Sequence, residues 1–139
     1  MIILDTNVVS EIMREKPDAC VMRWLDRQNP EQMHITAINL AELLIGVELM
    51  PNGKRRQALE STLSQVVKEF FSGRILPFGE PAARTYSLLL SRARNSGRTI
   101  SVADGQIAAV AAVHGFTVAT RDISPFEAAG VRFVNPWES

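Results

Sequence analysis

The chain has 139 residues, with Lys+Arg 15 balanced by Asp+Glu 15, so it does not hold nucleic acid by bulk charge; a local basic rim is still enough for phosphate contacts. With 46% hydrophobic and 22% charged residues, it has the make-up of a soluble globular domain spanning 1–139 and able to bury a sizeable core. Its one cysteine, Cys20, excludes an internal disulfide and a thiolate metal cluster and is expected to pack as a small hydrophobe.

Met1 to Leu4 is a short apolar run containing the β-branched pair Ile2-Ile3, and it reads as a strand buried on both faces. It stops at Asp5-Thr6-Asn7, three residues that also suit the N-cap of a helix. The early acid and the absence of a basic leader argue against a secretory signal. The longest apolar run, Ile107 to Val113, is too short to span a bilayer, so a cytoplasmic protein is expected.

Val8 to Arg14 predicts a short helix that stops around Lys16-Pro17-Asp18. The next helix presents Val21, Trp24 and Leu25 on one face and is broken by Asn29-Pro30-Glu31. Met33-His34-Ile35 is a second strand, ending at Thr36. Ile38 to Met50 reads as a helix with almost no polar face, to be buried on more than one side, with Gly46 allowing close helix packing. Glu42 stands out in it, because a buried carboxylate is costly unless it is paired.

Pro51-Asn52-Gly53 makes a turn into a polar helix over 54–71, and Arg74 to Phe78 predicts a third strand closed by proline. Another helix opens at Glu80-Pro81 and stops at Asn95-Ser96-Gly97. Ser101-Val102-Ala103-Asp104 fits a capping pattern at the head of an alanine-rich helix that ends at His114 with Gly115 beyond it. Phe116 to Ala119 is a fourth strand, a turn follows around Ser124-Pro125-Phe126, and Val131 to Val134 is the last strand. Strands alternating with helices predict an α/β protein, a three-layer α/β/α sandwich with a central, mainly parallel sheet.

In such a sheet the strand ends and the heads of the following helices gather at one edge, where ligands bind. Asp5 and Asp122 each follow a strand, Asp104 heads a helix and Glu42 projects from another, so all four are expected to converge there. Structural duties compete: Asp5 and Asp104 as helix caps, Asp122 as a turn residue. Carboxylates this close repel one another, and a divalent cation resolves the conflict; oxygen-only ligands favour Mg²⁺ or Mn²⁺. His34, in a strand, and His114, at a helix end, are poor ligand candidates by comparison.

These blocks resemble the PIN-domain ribonucleases, and within them the VapC-type toxins of bacterial type II toxin–antitoxin pairs. The matching stretches are Ile3-Leu4-Asp5-Thr6-Asn7, Ala41 to Val47, Ala103 to Ala109 and Ala119-Thr120-Arg121-Asp122, in the family's order. Gly73 to Phe78 and Asn135-Pro136-Trp137 are similar to the FitB-like branch. The resemblance implies a Mg²⁺- or Mn²⁺-dependent endoribonuclease with Asp5, Glu42, Asp104 and Asp122 as catalytic and metal-holding residues. It places Asn7 and Thr120 as small polar supports. It also implies a homodimer, a small cognate antitoxin, and a higher assembly of the two that binds its own operator through the antitoxin. An antitoxin arginine set among the acids would replace the cation's charge and inhibit the enzyme.

Arg121, and the arginines between Arg84 and Arg98, are candidates for positioning RNA phosphates, with a solvated helix face as the competing role for the latter. The apolar helix from Ile38 suggests a surface for a second copy or for the antitoxin. Two other readings compete. One is a PIN-like binding module without nuclease activity. The other is an aspartyl-phosphate phosphatase or receiver-type domain, which needs a late lysine, and none follows Lys68.

Overall fold

The computed structural model describes residues 1–139. Five strands form one sheet: β1 (Ile2–Leu4), β2 (Met33–Thr36), β3 (Ile75–Leu76), β4 (Thr117–Ala119) and β5 (Phe133–Val134). Their order across the sheet is β3-β2-β1-β4-β5, and every neighbouring pair is parallel. The chain therefore builds outward from β1 in one direction, then returns to the other side of β1 with β4. That reversal puts a crevice at the carboxyl ends of β1 and β4, where open parallel sheets bind ligands.

Seven helices cover the sheet: α1 (Thr6–Ile12), α2 (Ala19–Asp26), α3 (Ala37–Glu48), α4 (Lys54–Phe70), α5 (Glu80–Asn95), α6 (Val102–His114) and α7 (Ser124–Ala129). Strand alternation divides the core in two. Ile3 and Val118 pack with α5, α6 and α7 residues such as Leu89, Ile107 and Phe126. Their chain neighbours Leu4 and Ala119 point the other way, among Val8, Trp24, Leu43 and Leu63 from α1 to α4. A strand buried on both faces needs apolar residues at every position, which is why Ile3 and Leu4 are both fully buried. Each contributes about 1.5–3 kcal/mol by leaving water. The result is the three-layer α/β/α sandwich expected from the pattern.

α6 is the central helix of its layer, with Ile107 to Ala111 fully buried. Its close contact with α5 depends on Gly105, where an added Cβ would lie 2.7 Å from Leu90 Cδ1 and 2.9 Å from Tyr86 Cε1. Close packing thus falls at Gly105 and not at Gly46, which is exposed with nothing near it.

Several boundaries differ from the sequence pattern. α1 starts at Thr6, not Val8, because the Asp5 side chain caps it. α3 runs from Ala37 to Glu48 and is capped by Thr36 with Asn39. α3 is also not enclosed: Leu44, Ile45 and Leu49 are 50%, 52% and 78% exposed, because only the face carrying Leu43 and Val47 meets the core. The third strand is only Ile75–Leu76, and the region around Ser124 is a helix, with Pro125 in its first turn and Gly130 (φ 73°) as its left-handed stop. Cys20 is half-buried, its thiol donating to the Ser139 carbonyl at 3.1 Å. No helix is long and apolar enough to cross a membrane.

Candidate active site

Asp5 sits one residue beyond β1, and the β1–β4 register places it opposite Thr120, one residue beyond β4. Its backbone N–H continues the ladder by donating to Ala119 O at 2.9 Å. The side chain is 5% exposed and accepts three hydrogen bonds. Thr6 N–H (2.8 Å) and Asn39 Nδ2 (3.2 Å) donate to Oδ1, and Thr120 Oγ1 (2.8 Å) donates to Oδ2. Capping and site duty are thus combined in one carboxylate.

The Asp5 carboxyl titrates above the ordinary range, chiefly because burial penalises its charged form, although the Thr120 and Thr6 donors partly offset this. The negative charges of Asp104 and Glu42 push it further up. Glu42, half-buried on α3, has Oε1 held by the Thr6 hydroxyl at 2.7 Å. Asp104, in the first turn of α6, accepts the Ser101 hydroxyl at 2.8 Å on Oδ2, while its backbone N–H is capped by Ser101 Oγ at 3.2 Å. Asp122 joins through its backbone, whose N–H donates to Thr120 Oγ1 at 3.1 Å; its carboxylate is exposed on the rim.

None of the four acids forms an ion pair with any Lys, Arg or His of the chain. Nor do three carboxylates stand close enough to grip one ion together, because Glu42 and Asp104 are each turned toward a hydroxyl. The donor set is nevertheless all oxygen and carries unbalanced negative charge around a buried Asp, which suits a hard divalent cation.

Asn7 ties α1 to the β4 end: its Nδ2 donates to Thr120 Oγ1 at 3.4 Å and its Oδ1 accepts from Arg121 N–H at 3.3 Å. The Arg121 guanidinium lies over the Trp137 ring, 5.0 Å from its centroid, at the exposed rim. Arg84 and Arg98 make exposed ion pairs with Glu80 (3.1 Å) and Glu127 (3.6 Å). His34 and His114 flank Phe116 instead of facing the acids; burial holds the His34 pKa below its ordinary value.

A model of the PIN domain matches residues 2–131. The chain belongs to the PIN domain family. It is 50% identical over 138 residues to the VapC ribonuclease Y4jK of Sinorhizobium fredii, covering 99% of both chains. It is 48% identical over 137 residues to the toxin FitB of Neisseria gonorrhoeae, again covering 99% of each. Among solved structures, FitAcB from Neisseria gonorrhoeae superposes with a TM-score of 0.94 at 47% identity, over the whole of both chains.

Asn39 is the site residue that the sequence pattern did not single out. Its signal was the Thr36-x-x-Asn39 spacing, a capping box with Asn in the place that Glu or Gln usually takes.

Proposed function

We propose that this PIN domain is the toxin of a toxin–antitoxin pair, a divalent-metal-dependent endoribonuclease that hydrolyses RNA phosphodiester bonds. One observation carries the reading: a buried, triply hydrogen-bonded Asp5 is linked through Asn39 and Thr6 to the Glu42 carboxylate, and no Lys, Arg or His of the chain pairs with either acid. A fold gains nothing in stability from such an arrangement, because like charges around a buried carboxylate cost free energy. Similarity to the VapC ribonuclease Y4jK and to toxin FitB supports the assignment.

Asp5 with Glu42 and Asp104, and Asp122 at the rim, would hold Mg²⁺ or Mn²⁺, which when bound would supply Lewis-acid stabilisation of phosphate charge and activation of water. The chain's own groups prepare this. A carboxylate offers roughly four lone-pair sites, and three donors already occupy Asp5, two on Oδ1 and one on Oδ2, so Oδ2 keeps capacity for a further partner. Glu42 Oε2 and Asp104 Oδ1 make no hydrogen bond within the chain, whose only hydrogen bonds to these two carboxylates are at Oε1 and Oδ2. Arg121, braced on Trp137, lies at the rim where a phosphate of a single strand would pass.

The faces of α3 divide the partners. A groove of about 970 Å³ between α1, α3 and α4 is lined by Thr6 and Glu42 as well as by apolar Leu43, Val47 and Leu59. A peptide segment of the antitoxin lying there would cover Glu42 and the Thr6 hydroxyl that holds it. Leu44, Ile45 and Leu49 remain exposed and fit a second copy of the chain. The toxin–antitoxin assembly would reach operator DNA through the antitoxin.

The deciding experiment is cleavage of single-stranded RNA by the purified protein, free of any antitoxin. Cleavage is expected with Mg²⁺ or Mn²⁺, to stop with EDTA, and to be lost in Asp5→Asn. Activity that survives both chelation and that substitution overturns the reading. RNA binding without cleavage under every metal condition leaves a PIN-like binding module instead.

A further inference from the structure

Asn39 is fully buried where β2, α3 and α1 meet, and its amide is engaged on both sides. Oδ1 accepts from Thr36 N–H at 2.9 Å and from Thr36 Oγ1 at 2.7 Å. Nδ2 donates to Asp5 Oδ1 and to Thr6 Oγ1, each at 3.2 Å. A flipped amide would set its NH₂ against the Thr36 N–H and its carbonyl against the Asp5 carboxylate, so one orientation is fixed. Having accepted from Asn39, the Thr6 hydroxyl gives its own proton to Glu42 Oε1 at 2.7 Å. One amide anchored at the end of β2 therefore reaches two acids, Asp5 directly and Glu42 through Thr6.

We propose that Asn39 is a positioning residue, whose amide sets the spacing and orientation of the Asp5 and Glu42 carboxylates toward a divalent cation; this rests on the metal-nuclease reading above. The choice of side chain fits the role. A capping box needs an acceptor at this position, and Glu would supply one while adding a further negative charge beside Asp5. Asn supplies the acceptor to Thr36 and turns two donors toward the acids. Outer groups that orient metal-holding carboxylates are worth about 10–100-fold in metal affinity or activity.

The test uses the full chain without antitoxin, comparing wild type, Asn39→Ala, Thr6→Val and Leu63→Ala. Leu63 is buried in the α1–α4 core and touches none of the site, so Leu63→Ala controls for lost stability. Two readouts are taken: Mn²⁺ affinity by calorimetry or by the paramagnetic resonance signal of free Mn²⁺, and kcat and KM on single-stranded RNA. Asn39→Ala is expected to weaken Mn²⁺ binding by about 10–100-fold and to lower kcat similarly. KM should stay within about twofold, since substrate binding is not the function removed. Thr6→Val, which leaves the capping box intact, should weaken Mn²⁺ binding by a smaller factor. Leu63→Ala should lower Tm and leave Mn²⁺ affinity unchanged.

Wild-type Mn²⁺ affinity in both Asn39→Ala and Thr6→Val overturns the inference, as does an equal loss in Leu63→Ala. Should Asn39→Ala fail to fold, Thr6→Val decides by the same criterion. A wild-type protein that neither binds Mn²⁺ nor cleaves RNA overturns the metal-nuclease reading itself, and the inference with it.

Discussion

Thr120 Oγ1 donates to Asp5 Oδ2 at 2.8 Å, joining the ends of β4 and β1 across a separation of 115 residues. The same oxygen accepts from the Asp122 backbone N–H at 3.1 Å, so one buried hydroxyl fixes the orientation of an acid and the course of the loop beyond it. Replacing it with Val removes these two bonds and the one from Asn7 Nδ2 while keeping the volume. Thr120→Val is expected to cost about 1–3 kcal/mol in stability, the penalty for buried polar groups left unpaired. RNA cleavage should fall with it, and Thr120→Ser should recover both. Chemical denaturation and a cleavage assay check this; a Val variant with wild-type stability and rate would remove Thr120 from the site.

Asp5 carries a charge at a stability cost. Its pKa in the folded chain lies above the unfolded value of 3.8, mainly through burial. Between those two pKa values the folded state binds more protons, so stability falls as pH rises through that window and stays lowered above it. Asp5→Asn should therefore raise Tm at pH 7, and the gain should shrink as pH falls toward the unfolded pKa. Thermal melts of the two proteins from pH 7 down to pH 4 test this. A lower Tm for Asp5→Asn at neutral pH would contradict it.

Gly105 holds α5 against the head of α6, next to Asp104. A methyl group there meets Leu90 and Tyr86 below contact distance, and overpacking of this kind costs about 1–3 kcal/mol. Ala gains roughly 1 kcal/mol over Gly in helix propensity, so a net loss of about 1 kcal/mol is expected for Gly105→Ala. Gly105→Val adds bulk without the same propensity gain and should lose more. Equilibrium unfolding of the two variants gives the order, and equal stability of all three proteins would show that α5 yields freely.

The exposed face of α3 predicts an association. Ile45→Glu or Leu49→Glu places a charge on a surface already half or more open to water, so Tm of the isolated chain should change by less than about 0.5 kcal/mol equivalent. If a second copy covers this face, light scattering coupled to gel filtration should show a dimer for wild type and a monomer for either variant. A variant that remains dimeric moves the interface elsewhere.

Much of the architecture was legible because it rests on local pattern. Apolar runs too short for helices gave the strands, their alternation with amphipathic stretches gave parallel order, and Ser101 and Gly115 marked the ends of α6 as expected. A boundary failed where one residue serves two purposes: Asp5 reads both as a site acid and as a helix cap, and because it caps α1 the helix starts at Thr6, two residues before the expected Val8. The helix at Ser124–Ala129 was hidden because six residues are too few to show a helical period.

The site divides in the same way. The sequence by itself determined which acids are present and that two of them follow strands, since carboxylate chemistry and strand ends are both readable from residue order. Tertiary structure alone decided which of them interact: strand order brings β4 beside β1, so Thr120 meets Asp5, whereas Asp122 keeps its carboxylate on the rim. It alone decided that Asn39, an unremarkable helix residue in the sequence, faces Asp5 across 34 positions of chain. Hydrogen bonds between distant residues depend on how elements are stacked in space, and no periodicity in a single chain records that.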